Sequence, residues 1–262
     1  MIWSILVRRL LVAFLAAAAG VGALALWFFS TPDDVDAFAR GAPRSWAKLS
    51  EDRRESPKVV QEHRYLPLEA IPVEVQYAVL SGEDIGFLGH GAWDLAAMRE
   101  ALQEWLGGDK LRGGSTVTQQ LAKNLFLSGD RSLWRKLREA RYAYWLEARL
   151  GKRRILELYL NIVELGPGIY GIDSGARHYF GVPAAALDSE RAAELSATIP
   201  SPLKHNPTTR TRSWEIRLEA IRERMGVYGR VRERLATLSG RGEKRQAASA
   251  ETAVDETSAG RP

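Results

Sequence analysis

The most informative part of the chain is Arg112-Gly-Gly-Ser-Thr-Val-Thr-Gln-Gln-Leu-Ala-Lys-Asn-Leu-Phe-Leu127. The glycine pair predicts a turn, and Thr116 followed by Gln119 is the capping-box pattern that begins a helix. The first turn of such a helix presents N–H groups and a partial positive charge, which suit a phosphate or another anion. At helical spacing, Gln120 and Lys123 share a polar face with Thr116, and the opposite face is apolar. The stretch therefore predicts a helix with one face toward a polar site and the other toward the core.

A nucleotide-binding P-loop is the common motif nearest to this pattern, and it does not fit. Counted from Gly108, the P-loop lysine would fall at Gly114, and residues 102–106 look helical where a P-loop follows a strand. A capped helix with one lysine is also ordinary in proteins that bind nothing there. The stretch needs support from the rest of the chain before it indicates a site.

The composition limits the classes of site. The chain has 262 residues and a formal net charge of +5, which favours an anionic partner. It has no cysteine, so disulfides and thiolate metal sites are excluded. Its four histidines show no His-Glu-x-x-His pattern, and we predict no metal site built by the protein itself.

The N-terminus predicts a membrane anchor. Residues 10–29 are uncharged and rich in Leu, Ala and Val, and as a helix they would extend about 30 Å, enough to span a bilayer. Arg8 and Arg9 precede this run and acidic residues follow it, so the positive-inside rule places the short N-terminus in the cytoplasm. A cleaved signal peptide is the alternative, because residues 16–19 are all alanine. Both interpretations place most of the chain outside the cytoplasm, which argues against nucleic acid as the partner.

The chain divides into an anchor, a stalk, a domain and a tail. We predict a cytoplasmic N-terminus and transmembrane helix at 1–30, a stalk at 31–66, a folded domain at 67–238 and a disordered tail at 239–262. Within the domain, helical patterns are frequent and strand signals are scarce, so the predicted fold is mainly α.

Several local patterns give helix boundaries. Asp94 is a predicted N-cap for a helix to residue 106, and Ser132 for one that Gly151 ends. Residues 166–175 carry four glycines and predict a loop. The 94–106 helix has an apolar side that we expect in the core, with the outer membrane surface as the alternative; its residues are Leu95, Met98, Leu102, Trp105 and Leu106.

Five blocks of the chain occur in the order found in one enzyme family. They are Glu83-Asp84-x-x-Phe87-x-x-His90, residues 112–127, Arg135-Lys136-x-x-Glu139, Ile155-Leu-Glu-x-Tyr-Leu-Asn161 through Gly166 and Gly171 to Tyr179-Phe180-Gly181, and Pro200-x-Pro202 with Asn206-Pro207. On these residues the chain resembles the peptidoglycan glycosyltransferases, especially the monofunctional biosynthetic transglycosylases, and so also the glycosyltransferase domain of class A penicillin-binding proteins. The resemblance covers roughly residues 66–207. It implies a lysozyme-like helical domain behind a single N-terminal transmembrane helix.

The resemblance also implies a reaction and its residues. The implied substrate is lipid II, a disaccharide-peptide on undecaprenyl pyrophosphate, which the family joins into β(1→4)-linked glycan strands with inversion. By block position, Glu83 is the implied general base for the acceptor 4-hydroxyl, and Glu139 is the second implied catalytic residue. The implied substrate-binding residues are Asp84, Arg112, Ser115, Thr116, Gln120, Lys123, Arg131 and Lys136. Elementary chemistry agrees, since inversion needs a base opposite the leaving group and a departing pyrophosphate needs fixed cations.

The resemblance also implies cofactors, partners and a cellular location, and it leaves two alternative functions open. It implies no required cofactor, with Mg²⁺ or Mn²⁺ as a candidate that the pyrophosphate itself would recruit. The implied partners are lipid II, the nascent strand and the membrane, with other cell-wall synthases or division proteins as candidates and no nucleic acid. The implied location is the cytoplasmic (inner) membrane, with the domain in the periplasm. A non-catalytic scaffold for wall synthases and a lysozyme-like lytic glycosidase remain the alternatives.

Two departures from the family pattern lie close to Glu83. Ala92 stands where a glycine is usual, and Gly86 where a polar or basic residue is usual. We expect His90 to have a structural role.

Overall fold

The computed structural model describes residues 2–32, 34–39, 64–108, 114–127 and 132–240. These residues form nine α-helices and one small β-hairpin, and they confirm the mainly α prediction. The helices are α1 Ile2–Phe29, α2 Val73–Glu83, α3 Leu95–Leu106, α4 Val117–Phe126, α5 Leu133–Ile162, α6 Ile172–Phe180, α7 Ser189–Thr198, α8 Arg212–Val227 and α9 Gly229–Leu238. The antiparallel strands are β1 Glu164–Gly166 and β2 Ile169–Tyr170. Single 3-10 turns occur at Asp36–Phe38, Leu68–Ala70 and Ala184–Ala186.

The N-terminal apolar helix is α1. Its segment Val7–Phe29 has 23 residues with a mean hydropathy of 2.3, and none of its most apolar window is buried against the rest of the chain. A helix of this length and composition suits a membrane crossing. The predicted single apolar helix at the N-terminus is therefore confirmed.

The central helix of the domain is α2. Residues 75–82 are all buried, and α2 packs against α7, α8 and α9. Because residues 75–82 do not meet water, Gln76 satisfies its amide inside the core by donating to the carbonyls of Leu68 and Ile71. A Cβ at Gly82 would lie 2.4 Å from Ser196 Oγ, so the glycine permits the close contact between α2 and α7. The tightly packed helix fixes the position of its last residue, Glu83.

The second part of the core is formed by α4 lying along α5. The predicted capping box is confirmed, because Thr116 N donates to Gln119 Oε1 at 2.9 Å and Gln119 N to Thr116 Oγ1 at 3.2 Å. Ser132 caps α5 by accepting from Arg135 N at 3.0 Å. Gly151 kinks α5 with φ 71° and ψ 165°, a conformation that favours glycine. The helix predicted to end at Gly151 is thus only the first of the two arms of one kinked element.

The predicted loop at 166–175 is wrong. The β-hairpin ends at Tyr170, and α6 begins at Ile172, which is buried. Gly171 has φ 81°, and a Cβ on it would lie 2.5 Å from the Asn161 carbonyl oxygen. The glycine is therefore needed for a close approach of two backbones at a helix start. Glycine frequency alone does not distinguish this use from a loop.

The expected core position of the apolar side of α3 is also wrong. Leu95, Met98, Leu102 and Leu106 are 71%, 45%, 51% and 71% exposed, although Asp94 caps the helix as predicted by accepting from Ala97 N at 2.9 Å. The side chain of Trp105 lies outside the described residues. Periodicity identifies an apolar side, but it does not identify the medium that side faces.

The end of α1 is attached to the first arm of α5. Trp145 Nε1 donates to the Phe28 carbonyl at 3.1 Å, and Arg141 Nη2 to the Ser30 carbonyl at 2.8 Å. The rings of Trp27 and Trp134 stack with centroids 4.8 Å apart. The apolar helix is therefore fixed directly to the arm of α5 that carries Glu139.

Most of the predicted stalk and tail lies outside the described residues, as 40–63 and 241–262. The domain boundaries stay predictions. Ser239, the first residue of the predicted tail, is buried, and its hydroxyl donates to Gln76 Oε1 at 2.9 Å.

Candidate active site

Glu83 is held at the C-terminal end of α2 by residues from two other helices. Its side chain is 8% exposed. Oε1 accepts from Arg217 Nη2 of α8 at 2.6 Å, and Oε2 accepts from Gln120 Nε2 of α4 at 2.7 Å. A carboxylate has about four lone-pair positions, so these two bonds leave room to accept a further proton donor. Glu83 is therefore fixed in position and still able to act as a base.

The amide of Gln120 is itself oriented by Tyr159, a fully buried residue of α5. The Tyr159 hydroxyl donates to Gln120 Oε1 at 2.9 Å. Burial, followed by the negative charge of Glu83, raises the pKa of Tyr159 well above its ordinary value, so the phenol keeps its proton. Because the hydroxyl donates to the amide oxygen, the amide nitrogen must face Glu83.

Asp84 joins the end of α2 to the start of α4. Its Oδ2 accepts from Val117 N at 2.9 Å, and its Oδ1 accepts from His90 Nε2 at 2.8 Å. One of the first-turn N–H groups predicted to suit an anion, that of Val117, is thus taken by the protein's own carboxylate. These contacts agree with the structural role expected for His90.

The ring of His90 lies between two acceptors. Its Nδ1 donates to the Gly91 carbonyl at 2.8 Å, while Nε2 donates to Asp84. Burial lowers the pKa of His90, but the hydrogen bonds to Asp84 and Gly91 and the charge of Asp84 outweigh it, so the pKa is raised. The protonated ring satisfies both acceptors.

One group in the described part of the chain brings together the donor types of a divalent cation. Single ligand atoms of Asp84, His90 and Asp94 all lie within 4.8 Å of one another. Both oxygens of Asp84 accept hydrogen bonds, however, and both nitrogens of His90 face acceptors. A metal ion would have to displace these contacts to reach the ligand atoms. We therefore assign no metal to this group.

A second buried carboxylate, Glu139, lies on α5 between two cations. Its side chain is 3% exposed, Oε2 accepts from Arg135 Nη1 at 3.0 Å, and Oε1 pairs with Lys136 Nζ. Lys136 Nζ also donates to Ser115 Oγ at 3.2 Å, and its side chain is 47% exposed. Two cations against one carboxylate leave a net positive charge beside the start of α4. Such a charge suits an anionic ligand.

The other residues implied by the resemblance differ in their surroundings. Lys123 is exposed on α4, three residues after Gln120. Thr116 is buried, and its hydroxyl donates to the Ala92 carbonyl at 2.8 Å. Its contact with substrate stays a prediction. Arg112 and Arg131 lie outside the described residues.

The predicted residues form two groups connected by α4. One contains Glu83 and Gln120, with Asp84 beside them. The other contains Glu139, Lys136 and Ser115, which immediately precedes the helix cap. We call them the base group and the cation group.

Two contributors to the base group were missed at the level of sequence. Tyr159 belongs to the fourth block, but nothing in its spacing indicated a bond to Gln120. Arg217 lies beyond the last block and 134 residues from Glu83. It is one of several arginines on α8, so composition gave no signal for it.

A mainly helical domain with one buried carboxylate that can accept a further proton donor and a second between two cations fits an enzyme that transfers a group from an anionic leaving group. The transglycosylase family model matches residues 52–226. The chain belongs to this family, whose domain is lysozyme-like and helical, and the resemblance drawn from the five blocks is confirmed.

Curated relatives are similar in sequence to this chain along most of the domain. A protein of Methylobacillus flagellatus is 37% identical over 201 residues, covering 76% of this chain and 85% of that protein. One of Aeromonas hydrophila is 42% identical over 191 residues, covering 72% and 81%, and one of Shewanella amazonensis is 42% identical over 211 residues, covering 79% and 80%. All three are named biosynthetic peptidoglycan transglycosylase.

Proposed function

We propose that this transglycosylase polymerises lipid II into β(1→4)-linked glycan strands and releases undecaprenyl pyrophosphate. The observation that carries the proposal is the pair of buried carboxylates, Glu83 held for proton transfer and Glu139 held between Arg135 and Lys136. The peptidoglycan transglycosylase names of the relatives support the substrate class.

Glu83 is the proposed general base. It removes the proton from the 4-hydroxyl of the acceptor sugar as that oxygen attacks C1 of the donor sugar. The bond from C1 to the pyrophosphate oxygen breaks on the opposite face, which inverts the anomeric carbon. General base catalysis contributes about 10²- to 10⁴-fold in rate.

The cation group is the proposed site of the leaving pyrophosphate. Lys136 donates directly to the phosphate oxygens, with Lys123, Arg112 and Arg131 as further predicted cations. Fixed cations stabilise the negative charge that develops as the pyrophosphate departs. Glu139 acts through its neighbours, since both of its oxygens hold the cations that face the ligand.

The proposed location is the cytoplasmic (inner) membrane, with α1 crossing once and the domain on the periplasmic side. The attachment of α1 to the first arm of α5 supports this arrangement, because it brings the cation group toward the membrane that holds the substrate lipid. Other wall synthases and division proteins stay predicted partners. No cofactor is proposed as a requirement, and Mg²⁺ or Mn²⁺ would arrive with the pyrophosphate.

The lytic and scaffold alternatives find less support. A glycosidase cleaves a sugar without a phosphate, so the surplus charge around Lys136 would serve no part of its substrate. A scaffold needs neither a base that is held on both oxygens nor a second buried carboxylate.

The test is polymerisation of lipid II by the purified full-length protein, compared with Glu83→Gln. We expect wild type to form polymer and the variant to lose at least about 10²-fold in rate. Glu69→Gln, which alters an exposed acid paired with Arg153, is the matched control and should keep the wild-type rate. A chelator arm separates a cation requirement from the base chemistry. Absence of polymer from wild type, or an unaltered rate for Glu83→Gln, would overturn the proposal, and soluble fragments released from cell walls would instead indicate lysis.

A further inference from the structure

In the base group, the contact between residues farthest apart in the sequence is made by Arg217. It lies on α8, which packs against α2, and its Nη2 donates both to Glu83 Oε1 at 2.6 Å and to the Gly82 carbonyl at 2.8 Å. The carbonyls at the C-terminal end of a helix carry partial negative charge and favour a cation there. The guanidinium is therefore held by the backbone of α2 while it contacts the carboxylate.

The surroundings of Glu83 make a cation necessary for its charge. Among the described residues, the charged or titratable groups around its carboxylate are Arg217 from α8, Tyr159 from α5 and the adjacent Asp84. The Tyr159 phenol is neutral, and the charge of Asp84 is paired with His90. A buried carboxylate without a paired cation favours its neutral, protonated form, and a protonated acid cannot accept the hydroxyl proton.

The contact is not explained by stability alone. Within the part of the chain that the structure describes, no hydrogen-bond partner reaches the buried Arg217 Nε, an arrangement that costs free energy in the folded state. Arg224, on the same helix, donates to the backbone of α2 in a similar way and serves as the structural comparison. Its Nη1 donates to the Ser81 carbonyl at 2.9 Å near the same end of α2. No contact between Arg224 and Glu83 is present among the hydrogen bonds and ion pairs of the described residues.

We infer that Arg217 is a positioning residue for the transfer reaction, which keeps Glu83 ionised and aimed at the acceptor hydroxyl. The inference rests on the proposed role of Glu83 as base. When Glu83 takes the proton, its charge is lost and Arg217 faces a neutral acid. Because the cation favours the ionised form, it promotes loss of that proton to water before the next sugar is added.

The experiment compares Arg217→Gln, Arg217→Lys and Arg224→Gln with wild type in lipid II polymerisation. Rates and KM are measured between about pH 5 and pH 9, and thermal unfolding is followed for each variant. We expect Arg217→Gln to lose about 10- to 10²-fold in kcat near neutral pH, with KM within about twofold of wild type.

A purely structural role of Arg217 would not change the pH dependence of the polymerisation rate, so this dependence separates the two roles. In Arg217→Gln the acidic limb of the rate profile should move up by about one to three pH units, and the rate should recover at alkaline pH. Arg217→Lys keeps a cation and should keep the limb near its wild-type position. Arg224→Gln should lower the unfolding temperature without moving the limb.

Two outcomes would overturn the inference. One is a wild-type rate profile for Arg217→Gln. The other is a rate loss that is equal at every pH and matched by Arg224→Gln, which would make Arg217 structural. Glu83→Gln is run alongside, because full activity in that variant would show that the proposed base is wrong rather than its positioning. In the double variant, the Arg217 substitution should add no further loss to Glu83→Gln, since the two residues act as a unit.

Discussion

Glu83 and Glu139 are both buried carboxylates with both oxygens occupied, but they obtain their partners differently. Arg135 and Lys136 are four and three residues from Glu139 on the same helix. The partners of Glu83 are 37 residues away on α4 and 134 residues away on α8. The cation group is thus built locally, whereas the base group exists only after three helices have packed.

The two groups also differ in charge. Glu83 is contacted by one arginine and an amide, so its charge is balanced. Glu139 is contacted by two cations, which leaves a positive excess next to Ser115. A base must be an anion before it takes up a proton, and a group that binds a departing anion must keep a surplus of positive charge. The difference in charge follows the difference in proposed role.

The largest effect on the difference between the base group and the cation group is expected from Glu139→Gln. Both cations would lose their carboxylate, and a displacement of about 1 Å at such a site can cost about 10²-fold in rate. We expect a loss of that size in lipid II polymerisation, with the acidic limb of the rate profile unmoved because Glu83 is intact. Glu190→Gln, an exposed acid paired with Arg222, is the control. A shifted acidic limb in Glu139→Gln would show that the two groups are not separate.

A more selective change is Lys136→Gln. It removes one proposed phosphate ligand and leaves Glu139 paired with Arg135. We expect a loss of about tenfold in kcat/KM and a weaker dependence of the rate on salt, because an ionic contact has been removed. Lys204→Gln, at an exposed lysine, should leave both quantities unchanged. A salt dependence equal to wild type in Lys136→Gln would contradict the assignment of the cation group.

The same contrast explains how much could be predicted from the sequence. The capping box of Thr116, the N-cap of Ser132 and the pairing of Glu139 with Arg135 all depend on residues within four positions of one another. Such patterns can be read before the chain is folded. Glu83 was identified through a family block, and the blocks gave no indication of its bond to Arg217.

The errors have the same origin. The apolar side of α3 was correct as a pattern, but most of its residues are exposed. Gly171 was placed in a predicted loop, but the reason for the glycine is the nearby backbone of Asn161. In both cases the missing information was the three-dimensional surroundings, which local spacing does not contain.

A smaller effect on the base group is expected from Tyr159→Phe. The substitution removes the hydroxyl that orients the Gln120 amide and takes one donor from a partly buried acceptor, at a cost of about 1 kcal/mol in unfolding free energy. The rate should fall by less than in Arg217→Gln, because the ion pair to Glu83 remains. Denaturant unfolding and polymerisation rates measure the two effects. A rate loss larger than that of Arg217→Gln would place the tyrosine, rather than the arginine, at the centre of the base group.

The smallest effect concerns the pH dependence of stability at His90. Its pKa is raised on folding, so its contribution is fully present below the unfolded value of 6.5 and is lost as the pH rises through the folded pKa. We expect wild type to be more stable than His90→Asn at mildly acidic pH, by at most about 1 kcal/mol, and the difference to shrink as the pH rises above 6.5. Urea unfolding at several pH values measures it. If the stability difference between wild type and His90→Asn grew with pH, the assigned direction of the His90 pKa shift would be wrong.

The separation of the two groups is tested most directly by measuring lipid II binding and polymerisation side by side in Glu83→Gln and Lys136→Gln. We predict that Glu83→Gln binds lipid II within about twofold of wild type while its rate falls at least about 10²-fold, and that Lys136→Gln loses affinity and rate together. Loss of binding by Glu83→Gln in proportion to its loss of rate would contradict this division of roles.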